Sequence, residues 1–353
     1  MDHLNSTHPP TNQSDYSSVF TNHVLPPLYF MIFVFGVFLN GLAAWIFFRV
    51  PSDSGLVVYL KNMVVADILM LSTFPFRLAA QLGLGGWRLH VIMCRYTAVL
   101  FYSSMYVGIL IMGLISLERY VRIVRHTSSS TTSAYRSRMG GAGVLHLLQS
   151  VSFARVVALL TWSLLLLSVL PNVLLTSRPA NEHNARRCMQ LKTELGAQWH
   201  RASTFFSVSL FWLTLLVLAF CYTSIACRVY QSYRRVNRNN SDARRKSNRS
   251  IFSILAVFFV CFVPYHVCRV PYTLSQTSPS DFSQNAHFLL FQLKAGTLFL
   301  SALNVCLDPI IYFLMCRTFR ESLLRKLSGR GRRRSLTTGQ SLSNVEERRS
   351  SGR

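Results

Sequence analysis

The sequence is short of acids and short of charge altogether. Of 353 residues only 13 are Asp or Glu, against 37 Lys or Arg, and charged residues make up 14% of the chain. Soluble globular domains carry about 25%, so an ordinary water-soluble fold is excluded. Neither His-Glu-x-x-His nor Gly-x-Ser-x-Gly occurs, so two common catalytic constellations are missing, and the chain is not expected to be an enzyme. There is no internal repeat and no pair of broken apolar segments, the signs of a transporter. The stretch Met1 to His23 has no Lys or Arg, hence no basic start for a secretory signal peptide.

What fills the chain instead is apolar: half of it is hydrophobic. Crossing about 30 Å of hydrocarbon takes about 20 helical residues. Stretches of that length fall at Val24–Phe48, Leu56–Ala80, Val91–Val124, Phe153–Thr176, Ser203–Tyr230, Ile251–Leu274 and Phe288–Cys316. A soluble helix keeps one wet face, whereas Trp162–Leu170 is apolar on every side. The expected fold is therefore an all-α membrane protein, a seven-transmembrane helix bundle. After it, Thr318–Leu327 places Phe319, Leu323, Leu324 and Leu327 on one face, which predicts a short amphipathic eighth helix along the membrane surface. The layout expected is a tail over 1–23, a receptor domain over 24–316, the surface helix over 317–327 and a disordered tail over 328–353.

The net charge of +24 is uneven. Basic residues crowd Arg228–Arg249 and the tail beyond Arg317, with Arg330–Arg334 as its densest run. Short cytoplasmic loops retain Lys and Arg, so these segments are expected inside and, with an odd number of spans, the N-terminus outside. Two Asn-x-Ser/Thr sequons in the leading tail, at Asn5 and Asn12, agree as glycosylation acceptors. The same topology accounts for the basicity without nucleic acid, and the inner charges can meet anionic lipids. Ser328, Ser335, Thr337, Thr338, Ser341 and Ser343 beside the basic run suit phosphorylation, and with it receptor kinases and arrestin.

Polar groups inside apolar spans cost about 2.5–3.5 kcal/mol each when charged. Asp67 lies midway along the second span, Asn40 in the first, and Asn304 and Asp308 in the seventh. Together they suit a hydrogen-bonded packing cluster or a sodium site at Asp67, Asn304 and Asp308, although Gly108 stands where a hydroxyl ligand would help. Glu118-Arg119-Tyr120 ends the third span, where the guanidinium can be held by its neighbour or swing to a partner. Pro264 and Pro309 break the backbone ladder and kink their helices. Cys94 and Cys188 both fall on the oxidising side and are expected to form a disulfide.

Taken together, Asn40, Asp67, Cys94 with Cys188, Glu118-Arg119-Tyr120, Trp162, Pro264 and Asp308-Pro309-Ile310-Ile311-Tyr312 resemble the rhodopsin-type G-protein-coupled receptors. Helix five departs in having no central proline, though Tyr222 stands near its inner end. Within that class, Tyr59-Leu60-Lys61-Asn62, Thr73-Phe74-Pro75-Phe76-Arg77, Phe101-Tyr102 with Met105-Tyr106, Leu170-Pro171-Asn172, Trp199-His200 and Arg269–Thr277 are similar to the purinergic nucleotide receptors of the ADP and UDP-sugar branch, its orphan relative above all. The resemblance implies a plasma-membrane receptor coupled to a heterotrimeric G protein of the inhibitory type. It also implies a nucleotide pocket at Tyr102, Asn172, His200, His266, Arg269, Tyr272, Gln276 and Lys294.

Charge points to the same ligand chemistry without the resemblance. The second outer loop carries Arg178, Arg186, Arg187, Lys192 and Arg201 against only Glu182 and Glu194. Arg77, His266, Arg269 and Lys294 lie in outer helix thirds with no carboxylate beside them. Buried cations without acids call for an anionic, phosphate-bearing ligand, either a nucleotide or nucleotide sugar or, alternatively, a lysophospholipid. Ligand-independent partnership with another receptor is the remaining alternative. The activation switch is expected at Glu118, Arg119, Tyr120, Tyr222, Phe262, Pro264, Asp308, Pro309 and Tyr312. The chain departs from the resembling receptors in three places. It has no cysteine before Cys94, with Phe282 where a loop partner would be. Ala295 follows Lys294 where Glu is usual, and the Arg125–Phe153 link is long, with His126 in place of a proline.

Overall fold

The computed structural model describes residues 18–49, 51, 54–129, 150–176, 178–182, 185, 188–235, 241–277 and 281–327. Asn5, Asn12, Arg186, Arg187, residues 130–149 of the long link and the tail from Ser328 onward lie outside the described residues.

Among the described residues, seven helical rods are long and apolar enough to span a membrane: α1 Phe20–Phe47, α2 Gly55–Gln81, α3 Gly86–Ile123, α4 Val151–Leu174, α5 Glu194–Arg228, α6 Ile254–Thr277 and α7 Gln284–Met315. No strand occurs among the described residues. An eighth helix, α8, runs Arg317–Leu327. The helices of α5 and α6 continue past their apolar parts, to Arg235 and from Ser241. At the cavity end, α5 departs from expectation by starting at Glu194 rather than Ser203. Its first turns carry polar side chains that hydropathy excludes. Thr193 nevertheless starts the helix by accepting the Gly196 N–H at 3.0 Å, an N-cap bond.

Lipid tails are as apolar as leucine, so burial alone does not hold such rods together; close approach and interhelical hydrogen bonds do. A Cβ on Gly36 of α1 would lie 2.6 Å from Leu71 of α2 and 3.2 Å from Val305 of α7. One on Gly113 of α3 would lie 2.8 Å from Thr214 of α5. Asn40 Nδ2 donates to the Val305 carbonyl at 2.6 Å, and Trp162 Nε1 of α4 donates to Asn62 Oδ1 of α2 at 3.0 Å. Each such bond contributes about 0.6–2 kcal/mol in a membrane. Outside this frame α4 turns Leu159, Leu160, Leu164, Leu166 and Leu167 outward, an exterior that suits hydrocarbon.

Prolines shape three rods. Thr73, just before Phe74-Pro75, interrupts α2, and its Oγ1 donates to the Met70 carbonyl at 2.6 Å. Pro264 offers no N–H to the previous turn, and one residue along from the carbonyl it abandons, Cys261 O accepts from Ser301 Oγ of α7 at 2.8 Å. Pro309 lies within the last segment of α7, Asn304–Met315. Phe319 anchors α8, stacked on Phe47 at 5.0 Å and edge-on to Tyr312 at 6.2 Å.

The disulfide joins Cys94 to Cys188, across a sequence separation of 94 residues. It ties the start of α3 to the loop between α4 and α5. At the same end Ser18 Oγ donates to Gln292 Oε1 of α7 at 2.9 Å, and Phe20 packs beside Gly296. The segment ahead of α1 is thus held on α7 by non-covalent contacts, in a chain with no cysteine before Cys94.

Candidate functional site

A cavity of about 330 Å³ opens among the rods at the disulfide end. Arg77 comes from α2, Tyr102 from α3, Asn172 from α4, His200 from α5, Arg269, Tyr272 and Gln276 from α6, and Lys294 from α7. Eight of the nine expected ligand residues therefore meet on one wall system. Neither Asp nor Glu is among the residues that line it.

The cations sit on aromatic faces. The Arg269 guanidinium lies 5.1 Å from the centre of the Tyr102 ring and 5.9 Å from that of Tyr265, Lys294 Nζ lies 5.4 Å from the Tyr272 ring, and Arg77 lies 4.3 Å from Tyr29. Such contacts supply about 2 kcal/mol at desolvated sites, whereas an unpaired buried charge costs several. Arg269 is only 7% exposed, so ring contacts leave part of that cost uncompensated. An anion among these groups would supply the rest. Gln276 Nε2 donates to the Tyr272 hydroxyl at 3.0 Å and fixes the ring that carries Lys294.

The ninth residue, His266, is absent from the lining. It lies deeper, stacked on Phe211 at 3.7 Å, with Nδ1 2.7 Å from the Phe262 carbonyl and Nε2 3.1 Å from the Tyr106 hydroxyl. A carbonyl only accepts, so Nδ1 carries the proton and, in the neutral ring, Nε2 accepts from Tyr106. Both ring nitrogens are occupied within the bundle.

Lys192 joins the cavity from the loop side, a place that its count among the loop's basic residues did not reveal. It is buried, and Nζ donates to Asn172 Oδ1 at 3.3 Å, while Asn172 Nδ2 donates to Ser203 Oγ at 3.3 Å. Burial, with Arg269 adding to it, lowers its pKa to about 8. The signal for it in the sequence is its nearness to Cys188: the disulfide pins that stretch above α3.

Toward the opposite end, the intramembrane polar residues form one region. Tyr312 donates its hydroxyl to Asp67 Oδ2 at 2.7 Å, and Asn304 Nδ2 donates to Asp308 Oδ2 at 3.4 Å. Asp308 Oδ1, Asn304 Oδ1 and Asn40 Oδ1 are buried without a hydrogen-bond partner among the described residues. Carboxylate and amide oxygens are the donor type that a hard cation takes. Near the end of α3, Tyr222 accepts from Ser116 Oγ at 2.9 Å and Tyr120 packs on Phe220 at 5.5 Å. Glu118 pairs with Arg122, one turn on, at 2.5 Å, so the carboxylate expected to hold its neighbour Arg119 is engaged by another guanidinium. Phe262 and Pro264 lie in α6 between the two regions, with Phe262 wholly buried against Phe258 at 5.5 Å.

Comparison with known proteins agrees with this architecture. Residues 39–312 match the family described as 7 transmembrane receptor (rhodopsin family). Purinoceptor 14 of Bos taurus is 44% identical over 326 residues, covering 92% of this chain and 92% of that protein. The G-protein coupled receptor 87 of Mus musculus is 41% identical over 329 residues, 93% of this chain and 87% of that one. Purinoceptor 13 of Homo sapiens is 36% identical over 300 residues, 85% and 80% respectively. The chain belongs to the rhodopsin family of seven-transmembrane, G-protein-coupled receptors, among the relatives of the purinoceptors.

Proposed function

We propose that this chain is a plasma-membrane receptor for an extracellular nucleotide or nucleotide sugar, with its N-terminus outside, signalling through inhibitory-type G proteins. The observation that carries the reading is the acid-free cavity in which Arg77, Lys192, Arg269 and Lys294 converge around Tyr102. Two similar receptors bear the name purinoceptor. A phosphate can accept a forked pair of bonds from Arg269 and a point charge from Lys294, while the Tyr102 face takes the base. Because Arg269 stands on α6 and Lys294 on α7, one anion draws the two rods together. Pivoting at Pro264 then opens the far end of α6, and Arg119, Tyr222 and Tyr312 rearrange for the G protein. The ligand drives this only by its better fit to the open form.

Asp67, Asn304 and Asp308 would hold Na⁺ in the resting form, where the ion would offset the two carboxylates and hold α2 to α7. The basic tail is proposed to meet anionic lipid and, once phosphorylated, arrestin. A lysophospholipid is the second reading, favoured by the cavity's apolar reach to Val99 and Val169 between α3 and α4.

The test is ligand-stimulated guanine-nucleotide exchange in membranes, run with nucleotides, nucleotide sugars and lysophosphatidic acid. Arg269→Ala should lower the potency of a phosphate ligand about 30- to 100-fold, the loss of one buried charge-assisted contact worth about 2–3 kcal/mol. Potency unchanged by that substitution would remove the phosphate clamp, and a response to lysophosphatidic acid alone would favour the second reading.

A further inference from the structure

Lys192 needs something to hold it where it stands. It is buried beside a cavity that no acid lines, its ammonium donates to Asn172 Oδ1 at 3.3 Å, and burial and Arg269 both disfavour its charge. Like charges repel strongly where the dielectric is low, so an empty cavity tends to push Lys192 and its loop away. The disulfide holds that loop at Cys188. Beyond it, Leu191 is buried in a small cluster with Val91, Cys94 and Ala185. Backbone bonds run from the Arg178 N–H to the Leu191 carbonyl at 3.2 Å and from the Thr193 N–H to the Leu175 carbonyl at 3.0 Å. The residues on either side of Lys192 are thus carried by the stretch that follows α4. Arg95 fixes the far end of that stretch. Its Nη2 donates to the Arg178 carbonyl at 2.7 Å, so Arg178 is caught through both its backbone groups. Arg95 Nε is buried with no hydrogen-bond partner among the described residues, so the guanidinium is partly enclosed. Arg95 itself is not among the residues that line the cavity.

We propose that Arg95 is a positioning residue for anion recognition: by clasping the Arg178 carbonyl it holds the loop between α4 and α5 so that Lys192 stays over the empty cavity. Cys94 and Arg95, neighbours in the chain, secure that loop at two places, covalently at Cys188 and by a charge-assisted bond at Arg178. The second tie bears on Lys192, because Arg178 passes it through the backbone to Leu191. An ammonium already in place spares the incoming anion the cost of ordering the loop. The clasp therefore raises affinity without touching the ligand. Its effect on binding rests on the nucleotide reading of the cavity, whereas its hold on the loop does not.

Two measurements on the full-length receptor in lipid nanodiscs test it. The first is amide hydrogen exchange without ligand, read at Lys192 and Thr193, whose N–H groups bond to the Met189 and Leu175 carbonyls. Arg95→Gln should speed exchange there about three- to tenfold, the effect of losing one partly exposed charge-assisted bond, and leave Val151–Leu174 of α4 unchanged. The second is binding of ADP and UDP. Arg95→Gln should weaken it by about the same factor, and by no more than Lys192→Met does. In a Lys192→Met background, Arg95→Gln should weaken it no further, because two residues acting through one contact are not additive. Arg95→Lys, a charged donor of shorter reach, should fall between wild type and Gln in both measurements. Unchanged exchange at Lys192 and Thr193 in Arg95→Gln overturns the proposal. So does an equal loss of affinity in both backgrounds, since Arg95 would then act on the anion through its own charge. If neither probe binds the wild-type chain, the nucleotide reading falls, and the exchange comparison still decides whether the clasp holds Lys192. Should the Gln variant fail to fold, the Lys variant carries the exchange measurement, and wild-type rates in it would overturn the clasp.

Discussion

Lys192 shows how one buried cation can make binding depend on pH. Burial and the nearby Arg269 bring its pKa to about 8, so the ammonium is charged below pH 8 and neutral above. A bound anion favours the charged form and raises that pKa. Affinity is therefore full below pH 8 and falls as pH climbs from the free to the bound value, by at most about tenfold per pH unit. The ligand contributes little there, because phosphate with a second pKa of about 6 is already ionised. Nucleoside diphosphate affinity measured from pH 7 to 9 should fall for the wild-type chain and stay flat for Lys192→Arg, whose guanidinium does not titrate in that range. Equal slopes would assign the dependence to another group. His266 illustrates the opposite case: from its place in the sequence it belonged with the ligand residues, and the structure spends both its nitrogens on Phe262 and Tyr106. Which way a ring turns is decided by partners on other helices, and no local pattern records it.

Among the elements, α6 carries the largest mechanical burden. Pro264 leaves a gap in its hydrogen-bond ladder, and Ser301 of α7 reaches across to the Cys261 carbonyl at 2.8 Å. Pro264→Ala restores the missing N–H and stiffens the rod at its pivot. Nucleotide affinity should stay within about threefold, since Arg269 and Lys294 keep their side chains. Stimulated exchange should drop about tenfold, a shift of about 1.4 kcal/mol in the opening equilibrium. Unaltered exchange in this variant would make the bend a static one. The prolines and the rods were legible because each is a local property: hydropathy sums over one window, and proline lacks its N–H wherever it stands. The early start of α5 at Glu194, the break of α2 at Thr73 and the arrival of Lys192 over the cavity were not. They depend on a capping threonine, a carbonyl accepting from a hydroxyl, and a disulfide spanning 94 residues. Likewise Glu118 stood beside Arg119 in the sequence, yet helical geometry presents it to Arg122 one turn away.

At the scale of the whole molecule, the described residues hold seven rods able to cross a bilayer, and an odd number of crossings would put the two ends of the chain on opposite sides. The charge asymmetry then has one consistent solution. The net +24 is concentrated in segments such as Arg228–Arg249 and the tail after Arg317, which resist translocation, while the leading segment with Asn5 and Asn12 has nothing to hold it back. The orientation proposed for the chain would place the cationic cavity toward the outside and Arg119 toward the G protein, so signalling and topology stand or fall together. In intact cells, removal of N-glycans should shift the electrophoretic mobility of the wild-type receptor and leave Asn5→Gln/Asn12→Gln unchanged. An antibody epitope fused after Arg353 should be reached only once the membrane is permeabilised. A glycan-free N-terminus together with a surface-exposed tail would invert the bundle. The acid-free cavity would then face the cytosol, where nucleotides are abundant and constant, and a receptor emptied of extracellular information could not perform the function proposed for it.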